Sequence, residues 1–199
     1  MVQTITDWLL SNKIELLGAI LGIMYIIFSI RQNLLTWPTG IFTSLLYIVV
    51  FFKSALYAAM GLQVYYVIIS IYGWIFWLNG KNENSKSLLP VQLVNWKLWI
   101  KIVVVSVIIY AVILFILLNF SDSDVPFIDS LTTSLSIVAT WMLAKKYIEN
   151  WIIWIFVDMV STGLYIYKNL WPTVILFLVY TIMAFFGYIE WKKDLKPEN

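Results

Sequence analysis

The stretch from Glu149 to Lys168, ENWIIWIFVDMVSTGLYIYK, decides the fold. Between Trp151 and Tyr167 Asp158 is the only charged residue. The run matches the roughly 20 apolar residues that a membrane-crossing helix needs. A carboxylate facing acyl chains in such a helix costs about 3 kcal/mol or more. The residues around Asp158 show how that cost is avoided. Trp151, Trp154, Asp158, Ser161 and Tyr165 follow one another at steps of three and four, which puts them on one helical face, with Thr162 beside it. Ile152, Ile153, Phe156, Met159 and Val160 form the opposite face, suited to lipid or packing. The polar stripe must therefore face protein or a water-filled cavity.

The rest of the chain has the same character. Of 199 residues, 62% are hydrophobic and 12% charged, against about 25% charged in soluble domains. That balance leaves too little polar surface for a water-soluble fold. An all-α membrane protein is expected, with eleven tryptophans and twelve tyrosines supplying interfacial belts. The alternating pattern of a membrane β-barrel is missing. Cysteine and histidine are both absent, which excludes thiolate chemistry, most zinc sites and histidine proton relays. No phosphate-binding GxxxxGK[ST] loop is present, so ATP hydrolysis is not expected. No cofactor, metal or nucleic-acid partner is implied. The first thirteen residues lack a basic region, apolar core and cleavage site, so no signal peptide is expected.

Apolar runs between polar breaks give seven spans: Ile14 to Ile30, Leu35 to Phe52, Tyr57 to Leu78, Leu98 to Phe120, Phe127 to Ala144, Trp151 to Tyr167 and Pro172 to Trp191. The one long connection, between spans three and four, reads as a polar linker. Alternating the spans across a bilayer puts Arg31, Lys81, Lys86, Lys97, Lys101, Lys145, Lys146, Lys192, Lys193 and Lys196 on one side. Lys13, Lys53 and Lys168 lie on the other, with Asp122 and Asp124. This bias predicts a cytoplasmic C-terminus and an outside N-terminus.

The chain also resembles itself at an offset of 114 positions. Trp37 falls on Trp151, Tyr66 on Tyr180, Gly73 on Gly187 and Trp77 on Trp191. The offset carries spans one to three (14–78) onto spans five to seven (127–191) and leaves span four (98–120) as an inverting connector. Two parallel three-helix repeats are expected, a build that places substrate near the midplane between halves. An unduplicated seven-helix receptor is the alternative architecture. In span two the stripe becomes Trp37, Gly40, Ser44, Tyr47 and Phe51, so Ser44 stands where Asp158 stands in span six. Two aromatic faces followed by a carboxylate one turn deeper suit a flat cationic ring, held by stacking, cation–π attraction and charge pairing. The alternative reading of Trp151 and Trp154 is an interfacial belt. That of Asp158 is a structural hydrogen bond to a neighbouring helix. Tyr57, Trp74 and Trp77 read as interfacial anchors. Gln63, Tyr66 and Ser70 share a face that either lines a cavity or joins helices. Asn150, just before the tryptophan pair, and Tyr180 complete the candidate substrate set.

Several motifs resemble the PnuC family of bacterial vitamin transporters: W-P-x-G at Trp37, L-Y-A with the following L-Q, Y-G-W at Tyr72, L-T-T-x-L-S at Leu131, E-N-W-x-x-W at Glu149 and V-D at Val157. The likeness covers nearly the whole chain outside the N-terminus and the long linker. It implies uptake of nicotinamide riboside, with thiamine and riboflavin transporters as relatives. It implies two three-helix units joined by span four in a SWEET-like arrangement, a homotrimer, the bacterial inner membrane, and facilitated diffusion with trapping by a separate cytoplasmic kinase. It also carries Trp151 and Trp154 over as substrate-site residues. Ala59, Thr140 and Phe177 depart from the family pattern, where an acid, a glutamine and a tyrosine are common. A proton-coupled transporter titrating Asp158 is the competing mechanism. A membrane enzyme finds no second acid, histidine or nucleophile to work with that residue.

Overall fold

The computed structural model describes residues 13–53, 57–80 and 89–195. The expectations for the first twelve residues, for Lys81, Lys86 and Lys196, and for the side chains of Tyr57 and Ala59 lie outside the described residues. Among the described residues seven helices follow one another: α1 (Lys13–Ile30), α2 (Thr36–Lys53), α3 (Tyr57–Asn79), α4 (Trp96–Phe120), α5 (Pro126–Ala144), α6 (Asn150–Tyr167) and α7 (Trp171–Lys193). Each lies within two residues of its expected span. Five are long and apolar enough to cross a membrane by length and composition; the apolar stretches of α1 and α2, Leu17–Ile30 and Thr36–Phe52, are shorter.

The chain forms two compact units, Met1–Lys81 and Asn82–Asn199. In the first, α2 packs against both α1 and α3. In the second, α6 packs against α5 and α7, and α4 packs along α5. Span four, expected as a separate connector, is thus part of the second unit. Ile102 of α4 joins Val94, Val138 and Met142 in a buried cluster, with Leu98, Trp99 and Ile153 against it. Most of α4 remains apolar and exposed, including Val103, Val107, Ile108, Phe115 and Leu118. Only lipid or another apolar surface accommodates such a helix.

Local structure recurs at the 114-residue offset, bond for bond. α1 ends in a Schellman turn in which the Gln32 and Asn33 amides donate to Ser29 and Phe28 carbonyls. α5 ends the same way, with Lys146 and Tyr147 donating to Leu143 and Met142. Gln32 (φ 51°) and Lys146 (φ 58°) both adopt the left-handed conformation that the turn requires. The first residue of the following helix then reaches back to the turn: Thr36 Oγ1 donates to Asn33 O at 2.7 Å, and Asn150 Nδ2 to Tyr147 O at 2.6 Å.

A tryptophan pair sits behind each turn. Trp37 meets Trp77 edge to face at 5.1 Å and 88°, and Trp151 meets Trp191 at 5.6 Å and 88°. Gly73 and Gly187 make room for them, because a Cβ at either would strike the ring of Trp37 or Trp151. Trp77 is fully buried, which corrects its reading as an interfacial anchor: its ring fills the interior of the first unit. Trp74, one turn earlier, is exposed as an anchor would be.

The long linker is also more than polar spacer. Gln92 forms a parallel bridge with Tyr147, its amide donating to Lys146 O and its carbonyl accepting from the Ile148 amide. The Val94 amide donates to Glu149 Oε1 at 2.8 Å, and Val91 and Val94 are buried. This strap covers Lys146, whose ammonium burial pushes from its ordinary 10.5 down to about 8, with Asp194 acting the other way. Glu149→Gln keeps an acceptor for Val94 but loses the charge, so thermal stability in detergent should fall by about 1 kcal/mol. A melting curve identical to wild type would mean the strap holds without the carboxylate.

Candidate functional site

α6 carries the stripe along the middle of the second unit, and its two faces differ as expected. Ile152, Phe156 and Met159 are exposed, while Trp151, Asp158, Ser161 and Thr162 are buried, and Trp154 and Tyr165 are half-buried. The neighbouring α5 contributes hydroxyls that satisfy themselves. Ser130, Ser136 and Thr140 each donate to the carbonyl four residues back, and Ser134 to the carbonyl three back. Small side chains with internal bonds let two helices approach closely.

The stripe itself is different. Thr162 Oγ1 donates to the Asp158 carbonyl at 2.7 Å, which leaves the carboxylate untouched. Among the described residues the Asp158 carboxylate takes part in no hydrogen bond or ion pair, although the residue is only 5% exposed. Among the described residues the Ser161 hydroxyl and the Trp154 indole N–H likewise have no partner. The structural hydrogen bond considered for Asp158 is therefore absent among these residues. A buried polar group without a partner costs about 1–3 kcal/mol, more when charged, and Asp158 and Ser161 are the buried polar members of this face beside Thr162.

The start of α6 adds three fully buried orphans. Asn150 Oδ1, Trp151 Nε1 and Glu149 Oε2 have no hydrogen-bond partner among the described residues. Trp151 is 3% exposed, which rules out an interfacial belt position. Its ring lies against Gly187 and Trp191, whereas the Trp154 ring has no aromatic partner among the described residues. At the far end of α6, Tyr165 meets Phe177 at 4.9 Å, and Phe177 meets Tyr180 at 5.7 Å. Asp129 of α5 accepts a hydrogen bond from Ser123 Oγ at 2.6 Å. Sequence reading passed over Asp129, an acid in the first turn of α5 that no stripe pattern singles out.

The candidates in the first unit sit in a tyrosine-lined interior. Trp37 and Ser44 are buried, and Gln63 and Tyr66 half-buried, with Tyr66 5.6 Å from Tyr65. The Trp37 N–H, like that of Trp151, has no hydrogen-bond partner among the described residues. Gly40, at the Trp154 position, faces Tyr25 and Ser70, each 3.0 Å from where a Cβ would stand. Tyr25 itself falls on Ala139 at the same offset. In the first unit the ring thus comes from the outer helix, and in the second from the stripe helix. Among the described residues no group of acids is arranged to hold a metal.

This arrangement can be set beside known proteins. Residues 12–193 match the family described as Nicotinamide mononucleotide transporter. The chain belongs to this family. The chain is similar to the "Nicotinamide riboside transporter PnuC" of Escherichia coli (strain K12), 25% identical over 89% of this chain and 84% of that one. The protein of the same name from Neisseria mucosa is 26% identical over 97% and 75%. The "Riboflavin/roseoflavin transporter RibM" of Streptomyces davaonensis is 24% identical over 92% and 88%. The "Crystal structure of the Vitamin B3 transporter PnuC" shares the fold at a TM-score of 0.76, with 22% identity over 96% of this chain and 85% of that one. As a family member the chain is a multi-pass membrane transporter and not an enzyme.

Proposed function

We propose that the chain carries a vitamin with a cationic ring across the bacterial cytoplasmic membrane, nicotinamide riboside first of all. The observation that carries this reading is the buried carboxylate of Asp158 in the middle of a spanning helix, which, like Trp154 and Ser161 beside it, has no polar partner among the described residues. A pyridinium or thiazolium ring brings the missing charge, stacks on the Trp154 indole, and leaves ribose or amide groups for Ser161, Asn150 Oδ1 and the Trp151 N–H. Trp151 then acts through its N–H more than through its ring. Trp37, Ser44, Gln63, Tyr66, Tyr165 and Tyr180 are the further substrate contacts we assign. A mononucleotide fits less well, because its phosphate adds negative charge to a stripe that holds an acid and no base. Names of the relatives support both riboside and riboflavin; thiamine stays the alternative among cationic vitamins.

Transport by facilitated diffusion, with a cytoplasmic kinase trapping the product, fits a site without a second acid or base. Coupling to protons through Asp158 is the rival. Uptake into proteoliposomes with and without a pH gradient separates them, since a uniporter accumulates nothing beyond equilibrium in either case. The bond-for-bond recurrence at 114 residues supports descent of the two halves from one three-helix unit. The basic-residue bias supports a cytoplasmic C-terminus, checked by a reporter fused after Asn199, and light scattering in detergent tests the homotrimer.

The substrate is decided by titrating nicotinamide riboside, thiamine and riboflavin onto purified protein; tight binding of riboflavin alone would overturn the cationic-ring reading. Trp154→Ala should weaken the cationic vitamin by about 1 kcal/mol. Trp77→Ala should lower melting temperature through its contact with Trp37 and weaken binding by the folded fraction less than Trp154→Ala does. Equal loss of affinity in both would remove Trp154 from the site.

A further inference from the structure

The strap ahead of α4 grips the backbone that sets the start of α6. The Gln92 amide donates to Lys146 O and its carbonyl accepts from the Ile148 amide, both at 3.0 Å. The Val94 amide donates to Glu149 Oε1 at 2.8 Å. Val94 packs with Ile102, Val138 and Met142, so the strap is itself fixed to α4 and α5. The gripped residues in turn hold the next two. The Asn150 amide donates to Tyr147 O at 3.2 Å and the Trp151 amide to Ile148 O at 3.1 Å. Asn150 Oδ1 and Trp151 Nε1, both buried, have no hydrogen-bond partner among the described residues. The corresponding turn of the first unit forms without such a grip from an acid. The Thr36 amide donates to Asn33 O and the Trp37 amide to Leu34 O, with an exposed Leu35 at the place of Glu149. Burying Glu149 carries a cost, since its Oε2 has no hydrogen-bond partner among the described residues. That cost falls on the half that carries Asp158.

We propose that Gln92, Val94 and Glu149 are positioning residues for substrate, fixing Asn150 and Trp151 where they meet the ribose or carboxamide of the ligand. The role rests on the transport reading above and deepens it. None of the three needs to touch the ligand. A hydrogen bond weakens steeply once its donor and acceptor lose alignment, so Asn150 Oδ1 and the Trp151 N–H select polar substituents only when their direction is held. Helix ends fray, and the strap pins this one by two backbone bonds and one to a carboxylate. Trp154 and Asp158, which meet the ring cation, lie about one and two turns farther along α6, where the helix's own ladder fixes them. Loosening the strap therefore weakens recognition of polar substituents and spares the bare ring.

The test titrates full-length protein in detergent with nicotinamide riboside and with N-methylpyridinium, a ring cation that has neither ribose nor carboxamide, the second read by displacement of the first. Glu149→Ala removes the acceptor for the Val94 amide, and Glu149→Gln keeps one. Gln92→Pro removes the amide bond to Lys146 O from a residue that is exposed. Glu149→Ala and Gln92→Pro should each raise the Kd for the riboside about fivefold, the worth of roughly one hydrogen bond. The Kd for N-methylpyridinium should stay within about twofold of wild type in both, and Glu149→Gln should bind both ligands within about twofold of wild type. Unchanged riboside affinity in Glu149→Ala and Gln92→Pro overturns the proposal. So does an equal loss for the two ligands, which marks general loosening of the unit. A loss in Glu149→Ala with Gln92→Pro unchanged places the carboxylate against the ligand and overturns it as well. If Glu149→Ala does not fold, Gln92→Pro beside Glu149→Gln decides the same comparison. Wild-type protein that binds neither the riboside nor thiamine overturns the transport reading itself, and the positioning role with it.

Discussion

Asp158→Asn should weaken a vitamin with a cationic ring by about 1–3 kcal/mol, between roughly fivefold and 150-fold in Kd. The amide is nearly isosteric, and the native carboxylate has no hydrogen bond among the described residues for the change to break, so the fold should persist. What disappears is the charge. A ring cation leaving water for a mostly dry cavity needs a compensating anion, and the bound cation in turn makes the buried carboxylate tolerable. A neutral analogue with the pyridinium reduced meets the same shape without that dependence, so its affinity should change much less. Titrating both ligands on both proteins at fixed pH reads the difference directly. If the cation binds the Asn variant as tightly as wild type, charge pairing at Asp158 is not the mechanism. If both ligands weaken equally, the side chain shapes the cavity instead.

The second large effect falls on the fold, and it should appear twice. A Cβ at Gly187 would lie 2.7 Å from three ring atoms of Trp151, and one at Gly73 closer still to Trp37. Both rings are buried and held by a further tryptophan, so they have little room to move aside. Gly73→Ala and Gly187→Ala should each lower stability by about 1–3 kcal/mol through overpacking. Adding Trp37→Phe to Gly73→Ala should recover part of the loss, a coupling expected only of residues in contact. Thermal melting in detergent provides the measurement. A Gly73→Ala protein that melts like wild type would show that helices α2 and α3 separate freely at this point. Gly61 and Gly163, with nothing within 4 Å, serve as controls where alanine should be tolerated.

Much of this was legible in the amino-acid order. Hydrophobic run length placed seven helices to within two residues, because a bilayer accepts no exposed backbone and each crossing must be one unbroken helix. The three-and-four spacing around Asp158 identified the buried face of α6 and the exposed one, since a charge in such a span has only one tolerable direction. The offset of 114 exposed the recurrence of Trp37 and Trp151, of Gly73 and Gly187, and of Trp77 and Trp191. Periodicity names a face but not the neighbour it meets, and that was decided in three dimensions. Trp77 reads as a span-end anchor, yet its ring is closed in by Trp37, forty residues away in sequence. The linker before α4 reads as polar, yet Val94 is tied to Glu149 across 55 residues, through a backbone amide that no side-chain pattern reveals. The same holds for the functional face. The sequence could place Asp158, Ser161 and Trp154 together, but only the packing of α6 between α5 and α7 shows that the α5 hydroxyls spend their bonds on their own helix. Those groups of the stripe stay unpaired for that reason, and their free hydrogen-bonding capacity is a property of contacts between helices rather than of any one of them.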